Sequence, residues 1–195
     1  MTLLDLWPGC GEVVCAEGLL LREWTLADAP TMVALFDTEE MDRLTPLASP
    51  FDLQAALAYL EDARRLRRES GTLQLAITHS GANAMGEVIV FPGSSPASIE
   101  LAYAVGAPFQ GHGLARRAVA AALGLAAGAG AAPLIEQAEL VIATDNVRSN
   151  AVATACGFSP ADAPLTERRR KGRTLAMQTW TRSLPQTSLP WISLP

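Results

Sequence analysis

The chain has 195 residues, 49% hydrophobic and 18% charged, which bounds it to one globular domain of ordinary size and excludes a disordered chain. Its formal net charge of −5 excludes a general nucleic-acid binder, which needs a basic footprint. The basic set is 14 Arg against one Lys, Lys171, so a Schiff-base lysine has a single candidate, standing in a charged run instead of an apolar pocket.

Residues 1–17 show no clean period and are left unassigned. Gly18 to Trp24 reads as a short strand. Thr25 with Asp28 resembles a capping box and opens a helix to about Phe36, with Pro30 tolerated near its first turn. Ser49-Pro50-Phe51-Asp52 starts a second helix. There Leu53, Leu57, Leu60 and Leu66 share much of one face, and Arg64, Arg65, Arg67 and Arg68 form a solvated end. Leu73–Thr78 and Met85–Phe91 are strands joined by the turn residues Ser80-Gly81-Ala82-Asn83, an antiparallel hairpin. Pro92 to Ser98 is a loop and Ile99–Val105 a third strand.

A helix spans about Gly113 to Gly128. Ala118 to Ile135 carries no charge. It is mostly Ala and Gly and is broken by Gly128, Gly130 and Pro133, so a buried helix is expected there and not a membrane span. Ala138–Ala143 is a strand, Asn146–Cys156 a short helix with Gly157 as its C-cap, and Phe158 begins an irregular strand. Glu167–Arg173 reads as a charged turn before a last strand, Thr174–Thr181. The final dozen residues hold three prolines and are expected to lie extended. The order is not the alternation of a dinucleotide-binding fold.

Three cysteines and no basic signal-peptide region lead to an expectation of reduced thiols in the cytoplasm. Cys10 and Cys15 lack a second Cys/His pair, and His79 and His112 are too scattered for a metal site, so none is expected. Cys156 is read as a packing residue. Trp24, Tyr59 and Trp180 are read as core or pocket lining.

The chemistry concentrates at Gln110-Gly111-His112-Gly113-Leu114-Ala115. Two glycines let the backbone turn sharply and approach a ligand. The loop runs into a helix whose first amides and dipole favour an anion, a phosphate or pyrophosphate above all. A Walker loop would need a Lys that is absent, and a dinucleotide fingerprint a Gly where Arg116 stands. By itself such a loop is as often a plain turn.

The strand and loop E-L-A-Y-A-V-G-A-P-F-Q-G-H-G-L-A-R-R-A-V, with V-I-A-T-D-N-V-R-S-N-A-V-A-T-A-C-G-F some thirty residues on, resemble the GNAT acetyltransferase superfamily, especially the branch of the ribosomal-protein N-terminal acetyltransferases. The family's Q/R-x-x-G-x-G/A motif falls on Gln110, Gly113 and Ala115. Its N-x-x-S…G-F segment falls on Asn146, Ser149, Gly157 and Phe158, and L-R-E-W-T-L-A-D-A at 21–29 is typical of the branch. The resemblance covers about residues 18–182 of a single domain, leaving 183–195 as a Pro-rich tail. It implies an α+β fold with a mostly antiparallel sheet, splayed between the third strand and the next, and acetyl-CoA as co-substrate. It also implies that Gly111, His112, Gly113, Leu114 and Ala115 cradle the pyrophosphate, that the backbone of Tyr103, Ala104 and Val105 pairs with the pantetheine arm, and that Asn146 and Ser149 approach the pantetheine and the thioester sulfur.

Direct acetyl transfer to a primary amine needs a proton acceptor and a hydrogen bond for the departing thiolate. Glu100 is the first candidate base and Glu87 the second. Ser149 is the substitute for the Tyr that many relatives carry where Ala153 stands. The amine is expected on a protein N-terminus, an amino acid, a polyamine or an antibiotic. Members often pair, so the resemblance also admits a homodimer. The alternative is a non-catalytic acyl-CoA-binding domain of the same fold.

Overall fold

The computed structural model describes residues 14–79, 83–128 and 135–185. The strands are β1 Val14–Ala16, β2 Leu19–Glu23, β3 Leu73–Thr78, β4 Gly86–Pro92, β5 Ser98–Val105, β6 Gln137–Ala143, β7 Ser159–Pro160, β8 Thr166–Arg170 and β9 Arg173–Ser183. The α-helices are α1 Ala29–Phe36, α2 Glu39–Leu44, α3 Leu53–Ser70, α4 Leu114–Gly128 and α5 Val147–Ala155. One sheet runs in the order β1-β2-β3-β4-β5-β6-β9-β7, with β8 beside β9. Every pairing is antiparallel except β5 with β6. This is the mostly antiparallel α+β sheet the resemblance implies. A parallel pair needs a crossover, and α4 supplies it.

Local chemistry starts the N-terminal helices. The Thr25 amide donates to Asp28 Oδ2 at 2.8 Å, completing the capping box, and Arg22 grips both Asp28 oxygens at 2.8 Å. Asp52 accepts from the Ala55 amide at 2.9 Å and starts α3. The face of α3 differs from expectation. Leu53 and Leu57 are 52% and 41% exposed, whereas Ala56 and Leu60 are buried. The helix docks on α1 and β3 through the stripe of Ala56, Tyr59 and Leu60, and the outer leucines have nothing to cover.

Helix α4 packs on the other face of the sheet, with Leu114, Ala118, Val119, Ala122 and Leu125 buried against β4 and β5. Its uncharged stretch from Ala118 on thus serves a protein core. Among the described residues no helix is long and apolar enough to cross a membrane.

Two elements depart from the sequence reading. Helix α2 was not expected; its N-cap Thr38 accepts from the Met41 amide at 3.2 Å. Thr166–Arg170 is a strand and not part of a charged turn. It pairs along β9 from Thr166 opposite Met177 to Arg170 opposite Arg173, and the turn shrinks to Lys171 and Gly172, both at positive φ (47° and 77°), as a two-residue hairpin requires. An edge strand beside solvent tolerates charge without apolar alternation. The expected strand from Phe158 is reduced to β7. Cys10, the turn residues Ser80 to Ala82, the break at Gly130 and Pro133, and the tail from 186 lie outside the described residues.

Candidate active site

Strands β5 and β6 hydrogen-bond only from Ser98–Gln137 to Leu101–Leu140. Beyond that point β5 continues to Val105 and β6 to Ala143 without pairing each other. Ala102 to Val105 therefore present to the gap a backbone edge that β6 does not pair, with Val105 O taken by the Gln110 side chain. The gap opens into a cleft of about 890 Å³. It is lined by Tyr103, Ala104 and Val105, by Gln110, Gly111, Gly113, Leu114 and Ala115, and by Asn146 and Ser149. Residues 46 positions apart in sequence, Tyr103 and Ser149, thus share one wall. His112 is exposed and is not among the lining residues.

Gly111 and Gly113 have φ of 80° and 71°, and a Cβ on either would meet nothing within 4 Å. Backbone conformation, not crowding, calls for glycine there, and the open space above the loop leaves its amides accessible. Leu114, buried under the loop, anchors the start of α4. Arg116, in the first turn, also lines the cleft, a role that no local sequence signal marks.

Gln110 acts within the protein. Its amide nitrogen donates to Val105 O and to Glu40 Oε2, each at 3.1 Å, and its oxygen accepts from Arg148 Nη1 at 2.7 Å. Arg148 also reaches Glu40 at 3.2 Å. The loop, α2 and the first turn of α5 are thereby tied together. Glu40 carried no sequence signal, because α2 was not recognised. Asn146 likewise caps its own helix, accepting from the Ser149 amide at 3.2 Å. The Ser149 hydroxyl lines the cleft within hydrogen-bond reach of the Tyr103 phenol. Tyr103 reaches across the gap and donates to Ser149 O at 3.3 Å. Burial pushes its phenol up to about 12, so it stays a donor.

Carboxylates occupy the opposite side of the cleft. Residues facing each other across a ladder share a face. The pairs Glu87–Ala104, Ile89–Ala102 and Phe91–Glu100 therefore lie together on the face covered by α1 and α3. Glu100 lines the cleft, directly before the strands part. Burial raises its pKa, Arg168 at 3.9 Å lowers it, and Glu139, paired with it across β6, raises it. Glu139 itself is buried and bonded to Ser94.

Glu87 is only 4% exposed. It accepts from Trp24 Nε1 at 2.8 Å and Tyr59 Oη at 2.7 Å. Burial pushes it up to about 7 against the pull of these two donors. The edge-on rings Trp24, Phe36, Phe51 and Tyr59, 6.2–6.3 Å apart, hold both donors in place. Trp24 and Tyr59 were expected only as core or lining residues. Cys156 is buried and burial raises its pKa, which fits a packing residue and not a thiolate nucleophile.

The cleft can thus take an anion at the loop, an extended chain along β5, and a group needing proton removal near Glu100. The family model described as acetyltransferase (GNAT) domain matches residues 18–159. Among solved structures, the fold resembles RimL, the ribosomal L7/L12 alpha-N-protein acetyltransferase in complex with coenzyme A (16% identity, 90% of this chain and 100% of that one, TM-score 0.77). It also resembles Mycobacterium smegmatis RimJ in complex with CoA-disulfide (20%, 94% and 92%, 0.74), and the microcin C7 self-immunity acetyltransferase MccE in complex with acetyl-CoA and AMP (19%, 85% and 92%, 0.72). No curated protein matches the chain significantly.

Proposed function

The chain belongs to the acetyltransferase (GNAT) domain family, and on that premise we propose that it transfers acetyl directly from acetyl-CoA to a primary amine. The observation that carries this reading is the parting of β5 and β6 after Leu101 and Leu140, with the glycine loop at the end of the freed edge. The pyrophosphate sits on the amides of Gly111 to Ala115 at the start of α4, where unpaired N–H groups and the helix dipole favour it. The exposed Arg116 is the nearby cation. The pantetheine amides pair with the edge of Tyr103 to Val105, as an added strand would.

The acceptor enters from the α1–α2–α3 side. Glu100 takes a proton from the attacking amine, directly or through one water. The amine nitrogen bonds to the thioester carbon, the C–S bond breaks, and the electron pair leaves on sulfur. Ser149, which lines the cleft, donates a hydrogen bond from its hydroxyl to that thiolate, in place of its contact with Tyr103. Holding the two substrates together supplies much of the rate.

Calorimetric titration with acetyl-CoA tests the donor site. The protein is expected to bind it at tens of micromolar or tighter, an affinity of roughly −6 to −8 kcal/mol. Gly113→Val forces a β-branched residue into a left-handed conformation costing about 1–2 kcal/mol, so its affinity should fall about tenfold. Absence of binding by the wild-type protein would remove the proposal.

Ser149→Ala should lower kcat by roughly 10–100-fold, the scale of one lost hydrogen bond to a developing charge, with acetyl-CoA affinity unchanged. Steady-state CoA release reads both. An unchanged kcat would leave Ser149 a helix-turn hydroxyl.

A further inference from the structure

We infer that Arg168 and Arg170 form an oxyanion site at the acceptor end of the cleft, so that the amine acetylated here belongs to a molecule bearing a carboxylate or phosphate. The acceptor half of this inference rests on the transferase reading above; the anion site does not.

The pairing of β8 with β9 puts Thr166 opposite Met177, Arg168 opposite Leu175 and Arg170 opposite Arg173. Opposed residues share a face, and Met177 lines the cleft. Arg168 and Arg170 therefore project on the cleft side while Arg169, one residue out of phase, is exposed on the other. Both line the cleft together with Glu100, Phe91, Leu44 and Leu47.

The surrounding acids are already engaged. Asp42 pairs with Lys171, Asp145 with Arg43, Glu40 with Arg148, and Glu100 with Arg168 at 3.9 Å. Arg170 has no carboxylate partner among the described residues. Its guanidinium donates to Leu44 O at 2.6 Å, which uses one of five N–H donors. It is half-buried, and burial and then the like charge of Arg168 both press its pKa down. Two guanidiniums on one partly apolar wall, one without a counter-charge, repel each other until an anion joins them. The planar fork of Arg matches a carboxylate or phosphate.

Two measurements test this. Inorganic phosphate is titrated into the wild-type protein, Arg168→Gln, Arg170→Gln and Arg170→Lys, with and without saturating CoA to mask the glycine loop. Each Gln variant should bind phosphate about tenfold or more weakly, the scale of a lost bond to a charged group, and Arg170→Lys should lose less. Arg168→Gln touches no backbone contact, so it guards against misfolding from loss of the Leu44 contact. Equal phosphate binding in both Gln variants and the wild type overturns the site.

Matched acceptors then compare seryl-glutamate amide with seryl-glutamine amide, and ethanolamine O-phosphate with ethanolamine, which separates carboxylate from phosphate. One anionic member should show about tenfold higher kcat/KM, through KM, with the preference lost in Arg170→Gln. Neutral partners used equally well overturn the acceptor assignment. No turnover with any amine, while phosphate binding still depends on the two arginines, defeats the transferase reading and keeps the anion site.

Discussion

Glu100→Gln is expected to lower kcat by about 10²–10⁴-fold, the usual contribution of a positioned proton acceptor, while acetyl-CoA affinity stays within about twofold. The amide keeps the shape of the side chain and its place on β5 but cannot take a proton. Glu100 lies on the acceptor face of the sheet, one residue before the last pairing of β5 with β6 at Leu101 and Leu140, so its loss should act on chemistry and not on the donor site.

The pH dependence gives a second readout. A base works only when ionised. Burial raises the Glu100 pKa, the Arg168 guanidinium lowers it, and Glu139 raises it again, the net effect being upward. The rate of the wild-type enzyme should therefore climb with pH through a limb lying above the ordinary carboxylate range. Arg168→Gln removes the one lowering influence and should move that limb to higher pH. A Glu100→Gln enzyme with wild-type kcat would put the base elsewhere, with Glu87 the next residue to test.

Glu87 should dominate the pH dependence of stability. In the unfolded chain it titrates as an ordinary glutamate at about 4.3; in the fold, burial holds it at about 7. The folded state therefore binds this proton more tightly than the unfolded state does. The associated stability is complete at pH values below the unfolded pKa and is lost as pH rises through about 7. The total is on the order of 4 kcal/mol, since each pKa unit is worth about 1.4 kcal/mol.

Glu87→Gln should remove that slope. The amide can donate to Tyr59 Oη, and turning the Gln74 side chain would let Tyr59 donate to Gln74 Oε1, a buried oxygen with no partner. Glu87→Leu, in contrast, strands Trp24 Nε1 and removes the acceptor of the Tyr59 hydroxyl, leaving Tyr59 only its bond with Gln74, and should cost about 2–5 kcal/mol. Urea unfolding at pH 5 and pH 8 separates these outcomes. Parallel wild-type and Glu87→Gln curves across that range would mean that the carboxylate stays ionised throughout.

Much of the fold was legible because its signals are local. The capping pair Thr25 and Asp28, the N-cap Asp52 and the apolar runs of β3 to β6 each express a short-range preference that the fold keeps. The loop Gln110–Ala115 was legible for the same reason: glycines at positive φ followed by a helix start are a local arrangement. Elements held by distant partners were not. Helix α2 is six residues long, too short to show a period, and its Glu40, Asp42, Arg43 and Leu44 are tied to Arg148, Lys171, Asp145 and Arg170. Strand β8 has four charged residues in five and is made a strand by β9. The faces of Leu53 and Leu57 depended on how α3 docks, which a 3.6-residue period does not specify.

The sequence by itself determined most elements from β2 to β9, though not α2 or β8, together with the glycine loop and the family, because backbone conformation and hydrophobic periodicity are written in neighbouring residues. The tertiary structure alone decided which carboxylates lie dry, that Arg170 has no carboxylate beside it among the described residues, and that Gln110 braces the loop through Glu40 and Arg148. Desolvation and ion pairing depend on residues tens to a hundred positions apart (Arg148 with Glu40, Tyr59 with Glu87). Those separations close only when the sheet forms.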